Sequence, residues 1–233
     1  MSATWFPNTT QWPVKHPERL QLYTMATPNG LKVSIALEEM GIPYEAHLVN
    51  IMENTQFDPD YLKLSPNGKI PTILDPNGPE GEPIAMMESG AILLYLAEKS
   101  GQLLPTDRRG ELAVRQWLFF QMAHIGPMFG QFGHFYKYAA DKTSDAYAVT
   151  RYTNEAKRLL KVLDDRLAVS PWLAGDEYSI ADIATFPWVA GLTWYDGLAV
   201  LEFDSFKHVK AWLDRCEARP ATQRGRQVGL FDH

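Results

Sequence analysis

The sequence predicts a small α/β domain followed by an all-helical one. From Leu20 to about Gly101, alternating runs that suit strands are interleaved with stretches of helical period, whereas beyond Asp107 the helical period holds almost throughout. The turn Thr27-Pro28-Asn29-Gly30 joins the first strand to the first helix and carries the first chemical signal.

Taken in order, Leu20-Gln21-Leu22-Tyr23-Thr24-Met25 alternates as a half-buried strand does. Val33, Ala36, Leu37 and Met40 recur at helical spacing, with Thr27 placed as N-cap, Pro28 at the first helical position and Gly41 as the stop. Tyr44 to Asn50 reads as a second strand, Pro71 to Asp75 as a third and Pro83 to Met87 as a fourth; a helix from Glu88 to about Ser100 closes the domain. Pro76-Asn77-Gly78-Pro79-Glu80-Gly81 supplies the hairpin loop between the last two strands. The order β-α-β, then β-β-α, suits a small open sheet covered by helices.

In the second half, amphipathic stretches run from Glu111 to Ala123 and from Tyr147 to about Val169, the latter with Tyr152, Ala156, Leu159, Leu163 and Leu167 on one side. Ser179-Ile180-Ala181-Asp182 has the form of a capping box, with Tyr178 and Ile183 spaced as a staple. A last helix runs from about Ser205 to Arg219 and stops at Pro220. The domain reading is therefore residues 1–19 as an extension, 20–102 as the α/β domain, 103–108 as a linker and 109–233 as the helical domain. The extension contains Trp5, Phe6 and Trp12, too aromatic for a solvated tail, and is expected to pack along a surface.

With 233 residues, 45% hydrophobic and 21% charged, the chain is of globular composition. Its formal net charge of −6 argues against general nucleic-acid binding, which needs a basic face. No apolar run approaches the ~20 residues that span a bilayer, and the first residues lack the basic and apolar regions of a secretory leader. One cysteine, Cys216, cannot form an internal disulfide, so a cytoplasmic location is expected. Cys216 is in helical register with Val209, Trp212 and Leu213 and reads as core; His124 and His134 lack the companions of a metal site, and no metal is expected.

Three segments of the α/β domain suit one small ligand. At Thr27 to Gly30, unpaired helix N–H groups, a hydroxyl and a carboxamide can hold an anion. A cis Ile70-Pro71 bond would turn the Ile70 backbone toward an extended peptide. At Glu88-Ser89-Gly90, Ser89 and a helix start can bind a carboxylate while Glu88 accepts an ammonium.

This order of elements, the Ile-Pro pair and the Glu-Ser pair at a helix start resemble a glutathione transferase over nearly the whole chain past Leu20. Thr27-Pro28-Asn29-Gly30, Gln56-Phe57, Leu64-Ser65-Pro66-Asn67-Gly68-Lys69-Ile70-Pro71, Glu88-Ser89-Gly90-Ala91-Ile92-Leu93-Leu94-Tyr95-Leu96, Gly126-Pro127-Met128 and Arg151-Tyr152 are similar to the bacterial Nu-class, or disulfide-bond reductase, branch. The resemblance implies a thioredoxin-like N-terminal domain, a helical-bundle C-terminal domain, a homodimer, and glutathione as co-substrate with no metal. It implies that Thr27 and Asn29 hydrogen-bond the glutathione sulfur, and that Ile70 and Pro71 meet the cysteinyl backbone. Glu88 and Ser89 would hold the γ-glutamyl end, Gln56 and Lys69 would contact the glycyl end or its backbone, and Arg151 would reach glutathione in the neighbouring subunit. Phe129, Phe132, His134 and Tyr136, after a kink at Gly126-Pro127, would line the acceptor pocket. The implied partners are glutathione or its disulfide and a small disulfide or electrophile; the alternative is a non-catalytic glutathione-binding or interaction module of the same fold.

Overall fold

The structure is a computed structural model and describes residues 11–142 and 146–230. The chain forms two compact units, one running to Gln102 and resuming at Pro220, the other Leu103–Arg219.

The first unit contains β1 (Leu20–Thr24), α1 (Pro28–Met40), β2 (Tyr44–Leu48), α2 (Pro59–Leu64), β3 (Thr72–Asp75), β4 (Ile84–Met87) and α3 (Ser89–Ser100). The sheet order is β2-β1-β3-β4. β2 runs parallel to β1 after the α1 crossover, while β3 and β4 are antiparallel. Because β1 lies inside the sheet, all five of its residues are buried, which corrects the half-buried reading of its alternation. The Gln21 amide is satisfied within the unit, whereas the Tyr23 hydroxyl is buried without a hydrogen-bond partner among the described residues. Gln21 Nε2 donates to the carbonyls of His16 and Arg19 at 2.9 and 2.8 Å, and its Oε1 lies 2.7 Å from His47 Nε2.

Beside the sheet, Trp12, Tyr23, Val49, Tyr61, Leu64 and Leu74 form one apolar cluster against which Ile70 packs. Trp12 meets Tyr23 edge-on at 6.0 Å and donates its indole N–H to the Leu48 carbonyl at 2.8 Å. The part of the extension around Trp12 is thus tied to the edge strand; Trp5 and Phe6 lie outside the described residues.

The second unit contains α4 (Arg108–Phe120), α5 (Gly126–Gly133), α6 (Ala146–Leu167), α7 (Ile180–Ala190) and α8 (Lys207–Glu217). Between α4 and α5 the helix widens into a π turn at Gln121–Ile125, and a second follows at His134–Tyr138. The first stands immediately before Gly126-Pro127. Pro127 lacks an N–H and its ring crowds the carbonyl four residues back, so the wide turn takes up the irregularity where a kink was expected.

The capping box at α7 is formed: Ser179 Oγ accepts from the Ala181 N–H at 3.3 Å and Asp182 accepts from the Ser179 N–H at 3.1 Å. Asp182 is wholly buried and also accepts from the Leu173 N–H and the Trp212 indole at 3.0 and 2.9 Å. Burial pushes its carboxyl up, and these donors pull against that shift.

From Pro220 the chain rejoins the first unit as α9 (Pro220–Gly225), packed on α1. Assigning residues 109–233 to one helical domain is therefore corrected at its end. Ser34 Oγ donates to the Gly225 carbonyl at 2.8 Å, and Arg224 pairs with Glu38 at 2.6 Å.

Candidate functional site

Strand register brings the three candidate segments to one end of the sheet. Tyr23 is opposite Thr72 and Thr72 is opposite Met87. The chain leaving β1 toward Thr27, the Pro71 that enters β3 and the Glu88 that follows β4 are therefore neighbours across the ladder, although far apart in sequence.

Thr27 is the N-cap of α1. Its backbone is extended, its Oγ1 accepts from the Gly30 N–H at 3.3 Å, and Pro28 occupies the first turn. The turn is tight because a Cβ on Gly30 would stand 2.0 Å from the Met25 carbonyl oxygen. The Ala26 N–H, just before the cap, donates to the Gly229 carbonyl at 2.9 Å, so the segment after α9 braces this turn. Asn29 and Thr27 are both half-buried, and the first turn carries no acidic residue to oppose an anion.

The loop before β3 is held from inside. Tyr61 OH and Ser65 Oγ both donate to the Lys69 carbonyl at 2.8 Å, and the Ile70-Pro71 bond is cis as the sequence suggests. The Lys69 side chain is exposed and Ile70 is half-buried. Gln56 is 8% exposed, and its Oε1 has no hydrogen-bond partner among the described residues. A buried amide oxygen in that state costs ~1–3 kcal/mol, a penalty that a ligand N–H would relieve.

At the third segment, Glu88 has φ 70° and ψ 107°, a left-handed conformation that costs a non-glycine residue of order 1–3 kcal/mol. Its side chain is exposed, and Ser89 begins α3 with 4% exposure. Behind Ser89 is Lys32 of α1, a residue that no sequence motif marks. Its Nζ lies 3.2 Å from Ser89 Oγ and its side chain is wholly buried. Burial lowers its ammonium to about 7, against the opposing field of Glu88. A lysine in a helix ordinarily marks the wet face; here α1 is covered by both α3 and α9, and the sequence carried no sign of that.

Within the second unit, Arg151 is exposed on α6 and lines a cavity of about 500 Å³ together with Met128, Tyr147, Tyr152 and Glu155. Arg158 bonds Glu155 at 2.7 Å and holds its carboxyl below the usual range. The four expected acceptor-pocket residues separate. Phe129 and Phe132 are 0% and 1% exposed and belong to the core, so they present no surface to an acceptor arriving from solvent. His134 is exposed and Tyr136 half-buried, with Phe132 stacked on Tyr136 at 5.1 Å. Cys216 is wholly buried. Among the described residues, no group of three or more His, Cys, Asp or Glu is arranged to hold a metal ion, and no helix is long and apolar enough to cross a membrane.

Residues 26–99 match the family model for the glutathione S-transferase N-terminal domain, and residues 119–220 that for its C-terminal domain. The disulfide-bond oxidoreductase YghU of Escherichia coli is 45% identical over 223 residues, covering 92% of this chain and 75% of the relative. A glutathione transferase from Pseudomonas putida, solved with one glutathione disulfide bound per subunit, superposes with a TM-score of 0.94 at 52% identity, covering 98% of this chain and 99% of that one. One from Burkholderia graminis, with two glutathione molecules per subunit, gives a TM-score of 0.94 at 52% identity, covering 97% and 95%.

Proposed function

The chain belongs to the glutathione S-transferase family, and we propose that it is a glutathione-dependent disulfide-bond reductase of the Nu-class branch. The observation that carries this is the convergence of Thr27, Ile70-Pro71 and Glu88-Ser89 at one end of the sheet, on a turn that has no cysteine. Such a turn cannot supply a nucleophilic sulfur. It can bind one that arrives on a tripeptide.

Glu88 and Ser89 take the γ-glutamyl ammonium and carboxylate, the Ile70 backbone pairs with the cysteinyl residue ahead of Pro71, and Gln56 with Lys69 serves the glycyl end. Thr27 and Asn29 then face the sulfur. A free thiol near pKa ~8.5 is mostly protonated at neutral pH. A hydrogen bond to a charged group is worth roughly 1.5–3 kcal/mol, and 1.36 kcal/mol is one pKa unit, so one good donor lowers the thiol by about one to two units.

The thiolate attacks one sulfur of the substrate disulfide, giving a mixed disulfide and a thiolate that takes a proton. A second glutathione thiolate attacks the mixed disulfide at the glutathione sulfur, forming glutathione disulfide and releasing the second substrate thiol. Two glutathiones lose two electrons and the substrate disulfide gains them. The ligands of the two bacterial relatives, two glutathiones in one and glutathione disulfide in the other, correspond to the two ends of that exchange.

The protein acts as a cytoplasmic homodimer in which Arg151 reaches glutathione of the neighbouring subunit, and the acceptor meets His134 and Tyr136. Conjugation to electrophiles is a lesser activity. Glutathione-dependent reduction of hydroxyethyl disulfide tests the reading. Turnover is expected to exceed that with chlorodinitrobenzene, and turnover of chlorodinitrobenzene with none of the disulfide would overturn it.

A further inference from the structure

Among the described residues, Lys32 is the one wholly buried lysine. Burying an ammonium costs several kcal/mol unless something nearby uses the charge. The side chain does not reach water; it ends 3.2 Å from the hydroxyl of Ser89, at the first residue of α3. An ammonium carries only donors, so in this contact Ser89 Oγ is the acceptor. A hydroxyl that accepts from a cation is polarised, and its own O–H becomes the stronger donor.

We propose that Lys32 is a positioning residue for the γ-glutamyl carboxylate of glutathione: from behind Ser89 it orients the hydroxyl as a donor toward the ligand and adds a buried positive charge to the N-terminus of α3. This rests on the glutathione site described under the proposed function. Lys32 does not touch the ligand; it acts through Ser89 and through its field. The same arrangement gives the strained Glu88 two electrostatic tasks, since its carboxylate faces the ligand ammonium and also favours the charged form of Lys32.

The charge makes binding and protonation interdependent. With burial holding Lys32 near 7, part of the population is neutral at pH 7.5, and a carboxylate brought close to it restores the ammonium. Ligand binding therefore takes up protons between about pH 7 and 9, and the uptake vanishes toward pH 6, where Lys32 is charged with or without ligand. The other charged groups on the helices packed against α1 are Glu98 and Lys99 of α3 and Arg224 of α9. Lys99 is engaged by Asp75 and Arg224 by Glu38, and the charge acting on Lys32 is that of Glu88.

Isothermal titration of the full-length protein with S-methylglutathione, whose thiol is blocked, in buffers of different ionisation enthalpy reads this directly. Wild type is expected to take up a substantial fraction of a proton per site at pH 7.5 and almost none at pH 6. Lys32→Met is expected to lose most of that uptake and to bind about tenfold more weakly at pH 6, the effect of one charge-assisted hydrogen bond. Uptake by the peptide's own amino group is what remains in the variant. On a Ser89→Ala background the same substitution is expected to weaken binding by less than the about tenfold seen with the hydroxyl present, because only the field of Lys32 is then lost. Equal uptake in wild type and Lys32→Met, or undiminished affinity in the variant, would overturn the role of Lys32 and leave the glutathione site standing. Binding by wild type without uptake at pH 7.5 would do the same and needs no variant, so it decides the matter even if Lys32→Met fails to fold. No binding by wild type would remove both the site and the inference.

Discussion

Replacing Thr27 separates the cap its hydroxyl forms from the role proposed for the same hydroxyl at the glutathione sulfur. In the structure Thr27 Oγ1 caps α1 by accepting from the Gly30 N–H at 3.3 Å. Removing an N-cap costs about 1 kcal/mol, which for a chain of this size lowers Tm by roughly 2–4 °C. That loss is indifferent to pH around neutrality. The catalytic loss is not: without the donor, the bound thiol returns from about pH 7 toward ~8.5, and the thiolate fraction at pH 7 falls from about one half to about 3%. Thr27→Ala is therefore expected to lower kcat/KM for hydroxyethyl disulfide about 15-fold at pH 7 and less than about twofold at pH 9.5, where either thiol is ionised. Thr27→Ser keeps the hydroxyl and is expected to retain both Tm and activity to within about twofold. The assay is the pH profile of kcat/KM beside a thermal melt. A loss of the same factor at both pH values would show that only the cap was removed, and no loss at either would refute the assignment of Thr27 to the sulfur.

Asn29→Ala is expected to lower kcat/KM more than it weakens glutathione binding, read as turnover against the Kd for S-methylglutathione; an effect confined to Kd would refute its role at the sulfur. Asp182→Ala removes the acceptor of the Leu173 and Ser179 N–H groups and of the Trp212 indole inside the second unit, and is expected to cost ~3–5 kcal/mol in a denaturant melt; a change under about 1 kcal/mol would contradict that account. Acid sensitivity follows from two groups of the first unit. Burial holds His47 below its ordinary 6.5 despite Glu45, so the unfolded chain binds more protons there and stability falls as pH drops below about 6.5. Burial alone would raise Asp75, but Lys99, Tyr95 and the Asn77 N–H hold it below 3.8, so its contribution is present above about pH 4 and lost below. His47→Gln is expected to flatten Tm against pH between 5 and 7, and Asp75→Asn to flatten it below 4; unchanged slopes would count against both assignments.

What the sequence revealed was local chemistry. Thr27, Pro28 and Gly41 mark both ends of α1, and Ser179 with Asp182 announces α7, because caps are satisfied by residues three or four positions away. What it concealed depends on what covers an element. The alternation of Leu20 to Met25 gave no sign that both edges of β1 are paired and both faces buried. Lys32 looks like a solvated helix charge until α3 and α9 are seen against α1. Pro220 reads as the end of a helix, yet proline is equally at home in a first turn, and here it opens α9. The three candidate segments are each recognisable as chemistry, whereas their meeting place follows from the register Tyr23 to Thr72 to Met87, which no single segment encodes. Phe129 and Phe132 read from sequence as pocket residues because aromatics serve cores and ligands alike, and burial separates the two uses.

In the proposed reaction the sulfur doing the chemistry belongs to glutathione and not to the protein. Cys216 is the one cysteine of the chain and is wholly buried in the second unit, so Cys216→Ala yields a cysteine-free protein at the cost of a small cavity. Measured at saturating glutathione, that variant is expected to reduce hydroxyethyl disulfide at a kcat within about twofold of wild type. Abolished turnover in a variant that still melts cooperatively and still binds S-methylglutathione would contradict the account.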